Sequence, residues 1–212
     1  SAFKQIFVQT AWQLKLKYPK IIAPTYVPKP NTLAYLQYTS GSTSKPKGVI
    51  ITHANVMACL STMLKGLVEY DKYHWYVVGS WTPPYHDFGL VAVILSFSIT
   101  GNTIVLFSPI DFIKKPLLWL QMLHRYHVKM TNCPNFALDI LCNKISDEDR
   151  LKYPIPADCK IVLGGEPVLS GTVHRFMKQW NHYKYTPGWG MAETTLAITC
   201  CRDGEFRMVT CD

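Results

Sequence analysis

The segment at residues 38–48, YTSGSTSKPKG, has the residue types of an anion-binding loop. Glycines let backbone N–H groups turn towards an anion, the five Ser and Thr hydroxyls can donate to phosphate oxygens, and the two lysines add positive charge. The spacing is not that of a Walker A loop, because six residues separate Gly41 from Gly48 and Val49 follows. A phosphate-binding loop is favoured over a flexible Ser/Gly connector, which would need neither lysines nor apolar segments directly on both sides.

A second chemical signal is the stretch PPYHDFG at residues 83–89, where His86 stands beside Asp87. Such a histidine could be a general base, a metal ligand or a gate residue at the mouth of a pocket. A loop histidine bonded to nearby backbone is the alternative, and spacing alone does not decide between them. A Ser–His–Asp hydrolase is disfavoured, because the chain contains no G-x-S-x-G elbow.

Two shorter motifs follow later in the chain. Residues 163–167, LGGEP, read as a strand end followed by a turn, the place where open α/β sheets bind ligands. Residues 188–194, GWGMAET, offer an aromatic side chain between two glycines and then Glu193, whose carboxylate could hold a divalent cation. An ordinary turn, and a buried Trp with a solvated Glu, are the alternatives for these two motifs.

The elements that must position these motifs alternate between strand and helix. This alternation predicts an α/β fold of layered, largely parallel sheets flanked by helices. The predicted strands cover residues 33–38 (short and buried), 49–52, 76–81, 103–107, 128–132, 159–163, 195–200 and 206–209. The predicted helices cover residues 3–18, 53–66 (with Thr52 as N-cap), 89–99, 116–127, 135–145 and 170–180.

Composition and charge narrow the classes of protein. The chain has 212 residues and a formal net charge of +8, but its Lys and Arg residues are dispersed, so we expect no nucleic-acid partner. No apolar run reaches the roughly 18 residues of a membrane span, and residues 88–100 read as a buried helix. The seven cysteines form no C-x-x-C pair, and no secretory leader is visible, which predicts reduced thiols and a cytoplasmic protein.

Taken in this order, the motifs resemble the acyl-adenylate-forming superfamily, and within it the fatty acyl-AMP ligase branch most closely. The loop matches YTSGST-x-x-PKGV, and the remaining similar stretches are LQY at residues 36–38, YHDFGL at 85–90, CPNFA at 133–137, GEPV at 165–168 and GMAETTL at 190–196. The resemblance runs from about residue 33 to residue 200.

The resemblance implies ATP-dependent activation of a fatty acid to an acyl-adenylate, with Mg²⁺ and release of pyrophosphate. The acyl group would then pass to the phosphopantetheine thiol of an acyl carrier protein or of a carrier domain in a polyketide or peptide synthase. An acyl-CoA ligase, and a non-catalytic module that binds acyl chains or nucleotides, are the alternative functions.

The resemblance also implies roles for individual residues. The phosphate cradle would comprise Thr39, Ser40, Gly41, Ser42, Thr43 and Lys47. Gly164, Gly165 and Glu166 would border the adenine, with Trp189 against its face. The motif around the Mg²⁺ ligand Glu193 would contribute Gly190, Met191, Ala192 and Thr194. His86 would sit by the acyl carboxylate, with Asp87, Phe88, Gly89 and Phe136 along the acyl tunnel; His86, Lys47 and Glu193 are the predicted catalytic residues.

Three departures from the family pattern stand out: Ser44 replaces a common Gly, Trp189 a Tyr and Ala192 a Thr. The family's ribose-binding Asp, its hinge and its small C-terminal domain with the catalytic Lys would lie beyond Asp212. We therefore expect residues 1–212 to form part of one N-terminal adenylation domain, with residues 1–32 as a helix and Pro-rich lead-in. Such a piece is expected to bind nucleotide weakly and to turn over poorly.

Overall fold

A computed structural model describes residues 27–39, 46–67 and 77–201. The strands are β1 (Leu33–Thr39), β2 (Lys47–Thr52), β3 (Val77–Ser80), β4 (Thr103–Leu106), β5 (Met130–Cys133), β6 (Lys160–Leu163), β7 (Tyr185–Gly190) and β8 (Ala197–Cys200). The helices are α1 (His53–Leu67), α2 (an α turn at Asp87–Gly89, a π segment at Leu90–Leu95 and an α turn at Ser96–Ile99), α3 (Pro109–Lys114), α4 (Leu117–Arg125), α5 (Asn135–Lys144), α6 (Asp147–Lys152) and α7 (Ser170–Trp180). A 3-10 turn spans Ala192–Thr194.

The central sheet has, within the described ranges, six strands in the order β4-β3-β5-β6-β7-β8. The neighbours from β4 to β7 pair in parallel, and β8 runs antiparallel to β7. Parallel neighbours require long crossovers, and helices supply them here. The sheet confirms the predicted α/β fold, and its five parallel strands end at one common edge.

Two apolar clusters cover the two faces of this sheet. Residues of one strand alternate between them: Ile161 and Leu163 join the first cluster, and Val162 joins the second. The first cluster includes the α4, α5 and α7 side chains Trp119, Leu141 and Phe176, and the second includes Leu60 of α1 and Val91 of α2. The result is a three-layer arrangement of helices, sheet and helices.

The first two strands form a separate antiparallel hairpin in which Thr39 faces Lys47. Strand β1 confirms the strand predicted at residues 33–38, but its predicted burial is wrong, because only Gln37 of β1 is buried, whereas Tyr38 is 62% exposed. The predicted N-cap of α1 is confirmed: Thr52 Oγ1 accepts from the Asn55 N–H at 3.2 Å. Residues 40–45 lie outside the described part of the chain.

Several element predictions need correction. Strand β7 was not predicted, because the sequence PGWG reads as a turn, but its register against β6 and β8 holds it extended. Helix α6 was not predicted either: the acidic residues 147–149 form its first turn, and Ser146 Oγ caps it by accepting from the Asp149 N–H at 3.1 Å. Helix α3 was also missed, and residues 3–18 and 206–209 lie outside the described residues.

A helix long and apolar enough to cross a membrane is not found among residues 27–39, 46–67 and 77–201.

The approach of β7 to β8 leaves no space for a side chain at Gly190. An added Cβ would lie 1.5 Å from the Leu196 carbonyl oxygen, whereas a Cβ on Gly171 in α7 would meet nothing within 4 Å. We expect Gly190→Ala to lower the free energy of unfolding by about 2–3 kcal/mol and Gly171→Ala to raise it by about 0.4–1 kcal/mol. Urea unfolding of both variants checks this, and equal effects would contradict the packing described at β7.

Candidate functional site

A cavity of about 1170 Å³ opens where β5, β6 and β7 end. One part of its wall is made by residues 164–168, which follow β6, and by residues 187–193, which are the end of β7 and the residues after it. Another part is apolar and comes from the second cluster: Met63, Val78, Phe88, Ala92, Val93, Met130, Val162 and Leu196. Ligands of open α/β sheets bind at this edge. The cavity therefore combines a polar end with an apolar wall.

The turn after β6 favours glycine at two positions, through a close contact at Gly164 and a positive φ at Gly165. A Cβ on Gly164 would lie 3.2 Å from the Gly188 carbonyl oxygen and 3.4 Å from the Phe88 ring, and Gly165 has a φ of +82°. The Glu166 carboxylate accepts from the Phe136 N–H at 2.6 Å, in the first turn of α5. Glu166 thus holds this turn against α5 while it lines the cavity.

The end of β7 presents an aromatic face, and the 3-10 turn after it presents a carboxylate. Trp189 lines the cavity and is 61% exposed, so the alternative of a buried Trp is wrong. Glu193 also lines the cavity and is exposed. The Thr194 hydroxyl donates to the Met191 carbonyl at 2.9 Å, so it closes the 3-10 turn instead of lining the cavity.

His86 lies at the start of α2 and lines the cavity. Its Nδ1 is 2.8 Å from Asp87 Oδ1 and 3.1 Å from the Phe88 nitrogen. The hydrogen bond to Asp87 raises the pKa of His86, burial lowers it, and the charge of Asp87 raises it further. Gln37 Nε2 donates to the Tyr85 carbonyl at 3.0 Å and so anchors the loop that carries His86 to β1.

The buried amide of Asn132, near the end of β5, also holds the loop that carries His86, through hydrogen bonds from the sheet. Its Oδ1 accepts from Ser80 Oγ at 2.6 Å, and its Nδ2 donates to Thr82 Oγ1 and to the Phe88 carbonyl, both at 3.0 Å. The side chain thus has three partners and is 2% exposed. Sequence reasoning missed this residue, although a polar side chain inside an apolar strand signal was available.

The π segment of α2 shapes the apolar wall. Ser96 Oγ donates to the Val91 carbonyl at 2.7 Å, five residues back along the helix. Buried Ala92 and Val93 of this segment line the cavity. The predicted helix at residues 89–99 is therefore confirmed, with a widened turn where it meets the cavity.

Most of the described candidate residues meet in this cavity. Those that line it are Thr39, His86, Asp87, Phe88, Gly164, Gly165, Glu166, Trp189, Gly190, Met191, Ala192 and Glu193. Four others do not: Lys47, Gly89, Phe136 and Thr194. Ser40, Gly41, Ser42 and Thr43 lie outside the described residues.

Physical reasons account for three of the residues that do not line the cavity. Lys47 is exposed at the end of the hairpin, opposite Thr39. A Cβ on Gly89 would lie 2.1 Å from the Pro83 carbonyl oxygen, so this glycine permits a close backbone approach. Phe136 packs edge-on against Trp81, at 6.1 Å between ring centroids, and Trp81 belongs to the first apolar cluster, on the other face of the sheet.

Comparison with known proteins assigns the chain to a family. The sequence model of the AMP-binding enzyme family matches residues 5–211. The chain belongs to this family. The fold agrees, because it superposes with a TM-score of 0.76 on a fatty acyl-adenylate ligase from L. pneumophila, solved in complex with acyl adenylate and pyrophosphate. That match has 32% sequence identity and covers 84% of this chain and 32% of the other.

Curated relatives point to the same branch. A 4-hydroxyphenylalkanoate adenylyltransferase from Mycobacterium tuberculosis is 33% identical over 93% of this chain and 33% of its own length. The medium-chain-fatty-acid–[acyl-carrier-protein] ligase JamA from Moorena producens is 33% identical over 97% of this chain and 35% of its own length. The predicted resemblance to adenylate-forming ligases is confirmed, and the chain spans about a third of the length of these relatives.

The Asn132 network can be tested without a ligand. We expect Asn132→Ala to lower the free energy of unfolding by about 1–3 kcal/mol and to speed amide hydrogen exchange at residues 82–90, because the Phe88 carbonyl loses its partner. Asn143→Ala is the matched control, because Asn143 is exposed and accepts one bond from Arg175 on the helical surface; it should change stability by less than about 0.5 kcal/mol. Unchanged exchange at residues 82–90 in Asn132→Ala would contradict the anchoring role.

Proposed function

We propose that the whole protein activates a fatty acid with ATP. The acid carboxylate attacks the α-phosphorus, the bond to the pyrophosphate oxygen breaks, and acyl-AMP and pyrophosphate form. The acyl group then passes to the phosphopantetheine thiol of an acyl carrier protein or a synthase carrier domain, and AMP leaves. One observation carries the proposal: a polar end at the strand termini and an apolar wall belong to one cavity.

The polar end suits a nucleotide. The exposed indole of Trp189 offers a face for a purine. The side-chain-free turn at Gly164 and Gly165 lets backbone groups approach a ligand closely. Thr39 lines the cavity next to the predicted phosphate loop, so that loop, with Lys47, would hold the β and γ phosphates.

The apolar wall suits an alkyl chain. Val93, Met130 and Val162 line the cavity on the face of the sheet opposite to the first cluster. Burying a chain there stabilises the complex by about 0.8 kcal/mol for each CH₂ removed from water. Because His86 lines the same cavity, an acid whose tail lies on this wall can hold its carboxylate near the imidazole. Such positioning matters because two anions must meet for the reaction.

Glu193 is the residue that would hold Mg²⁺. Among the described residues, no group of three or more His, Cys, Asp or Glu side chains could hold a metal ion. Magnesium in nucleotide sites needs only one or two protein carboxylates, because phosphate oxygens and water complete its shell, and the exposed Glu193 fits this need. When bound, the ion supplies positive charge that neutralises the phosphate oxygens.

A carrier protein as acceptor is supported by the name of the relative JamA, an acyl-carrier-protein ligase.

A cytoplasmic location fits an ATP-dependent enzyme with reduced cysteines. The six described cysteines are all thiols, and burial raises the pKa of Cys159 to about 12.

Pyrophosphate release tests the adenylation step. We expect the whole protein to release pyrophosphate from ATP only when Mg²⁺ and a fatty acid are present. A Lys47→Ala/Glu193→Ala double variant should release it at least about 100-fold more slowly, because phosphate charge is no longer neutralised. Lys184→Ala/Glu148→Ala removes one exposed charge of each sign outside the cavity and should retain the wild-type rate.

Two results would contradict the proposal. Intact nucleotide binding without pyrophosphate release would indicate a non-catalytic binding module. Faster acyl transfer to coenzyme A than to a carrier protein would indicate an acyl-CoA ligase.

A further inference from the structure

The Nδ1 atom of His86 lies within hydrogen-bond distance of two groups that require opposite protonation states. The Phe88 N–H, at 3.1 Å, is a donor and needs a lone pair on Nδ1. The Asp87 carboxylate, with Oδ1 at 2.8 Å, is an acceptor and needs a proton there. An imidazole nitrogen carries either a lone pair or a proton in the ring plane, so one contact excludes the other.

Burial decides which contact prevails. The Asp87 side chain is 12% exposed, and an ionised carboxylate this far from water requires a donor. If Nδ1 of His86 carried a lone pair, it and Asp87 Oδ1 would be two acceptors 2.8 Å apart and would repel each other. Leaving the Phe88 N–H without an acceptor costs less free energy than leaving the buried charge of Asp87 without a donor. The proton therefore belongs on Nδ1, shared with Asp87, and Nε2 is left for the cavity that His86 lines.

We propose that Asp87 is a positioning residue that holds His86 in its cationic form, so that Nε2–H donates to the carboxylate of the acid substrate. The inference rests on the proposed function and adds to it. Asp87 then acts through His86 instead of touching the acyl chain. With Nδ1 protonated, a neutral ring presents the Nε2 lone pair and repels a carboxylate, whereas the imidazolium presents a donor. At a pH above the pKa of His86, where most of the free protein holds the neutral ring, acid binding is consequently accompanied by uptake of up to one proton from solvent.

The groups around the pair leave His86 as the residue that carries this proton. Asp87 interacts electrostatically with Tyr35 of β1 and Cys59 of α1; burial raises the pKa of Tyr35 to about 12 and raises the pKa of Cys59, so both are neutral where a histidine titrates. The other titratable side chains that line the cavity are Tyr38, Glu166, Glu193, Cys200 and Cys201. These residues are unchanged in the variants compared below.

The direction in which the pKa of His86 shifts, and with it the pH dependence of acid binding, follows from Asp87. Its hydrogen bond and its charge raise the pKa of His86, against burial, which lowers it. Asp87→Asn keeps an acceptor for Nδ1–H but removes the charge, so the pKa of His86 should fall. Acid binding is strongest below the pKa of His86 and weakens as the pH rises through it. In Asp87→Asn this weakening should begin at lower pH.

The experiment uses the whole protein, decanoate as the acid and Asp158→Asn as the matched control, because Asp158 pairs with Lys129 on the surface away from the cavity. Nitrogen-15 NMR follows the His86 ring across pH, calorimetry in buffers of different ionisation enthalpy counts protons, and pyrophosphate release gives KM and kcat. We expect proton uptake in wild type and in the control. In Asp87→Asn we expect the lower pKa and a KM raised about tenfold at pH 7.5, with kcat within about twofold.

An unchanged pKa of His86 in Asp87→Asn would overturn the proposal, and so would decanoate binding to wild type without proton uptake at a pH above the pKa of His86 that NMR gives. A fall in kcat without a rise in KM would overturn it too. His86→Gln is the second variant, because the side chain is 55% exposed and its loss should leave the fold intact; it must abolish the proton uptake. A wild-type protein that binds decanoate with proton uptake but releases no pyrophosphate would refute the adenylation proposal alone.

Discussion

The site depends on one constraint: polar groups that are buried at the carboxyl edge of the parallel sheet must find hydrogen-bond partners within the protein. The amide of Asn132 meets this constraint, because it pairs at once with Ser80 at the end of β3, with Thr82 in the following loop and with the carbonyl of Phe88 in α2. An amide left without those partners would lose its hydrogen bonds to water and gain nothing in return. The loop that carries His86 is therefore fixed to the sheet, and the cavity keeps its shape.

The chemical character of the cavity follows from this geometry. Parallel strands that end together expose backbone and turn residues at their tips, and these form the polar end with Trp189 and Glu193. One face of the same strands supplies Met130 and Val162, which form the apolar wall with α2. The proposed acyl-adenylate would match both surfaces, with its nucleotide at the polar end and its alkyl tail on the apolar wall. The membership in the AMP-binding enzyme family and the fit to the ligase from L. pneumophila agree with this match.

Sequence patterns predicted much of the fold and most of the cavity lining, because strand periodicity and motif order are local properties. The α/β class and the helix Ser170–Trp180 were predicted correctly. Strand β7 was missed because Pro187 and the flanking glycines favour a turn locally, and pairing with β6 and β8 overrides that preference. Phe136 and Thr194 were assigned to the ligand, but packing against Trp81 and closure of the 3-10 turn occupy them. Such contacts join distant segments or depend on one rotamer, so no spacing rule reveals them.

A crystal structure of the protein with a non-hydrolysable acyl-adenylate, in which a sulfamate replaces the phosphate and the acyl group is dodecanoyl, tests the central claim most directly. The account predicts adenine between Trp189 and the Gly164–Gly165 turn, the acyl carbonyl near His86, and the alkyl chain along Val93, Met130 and Val162. An alkyl chain directed into solvent, or an adenine bound outside the cavity, would contradict it.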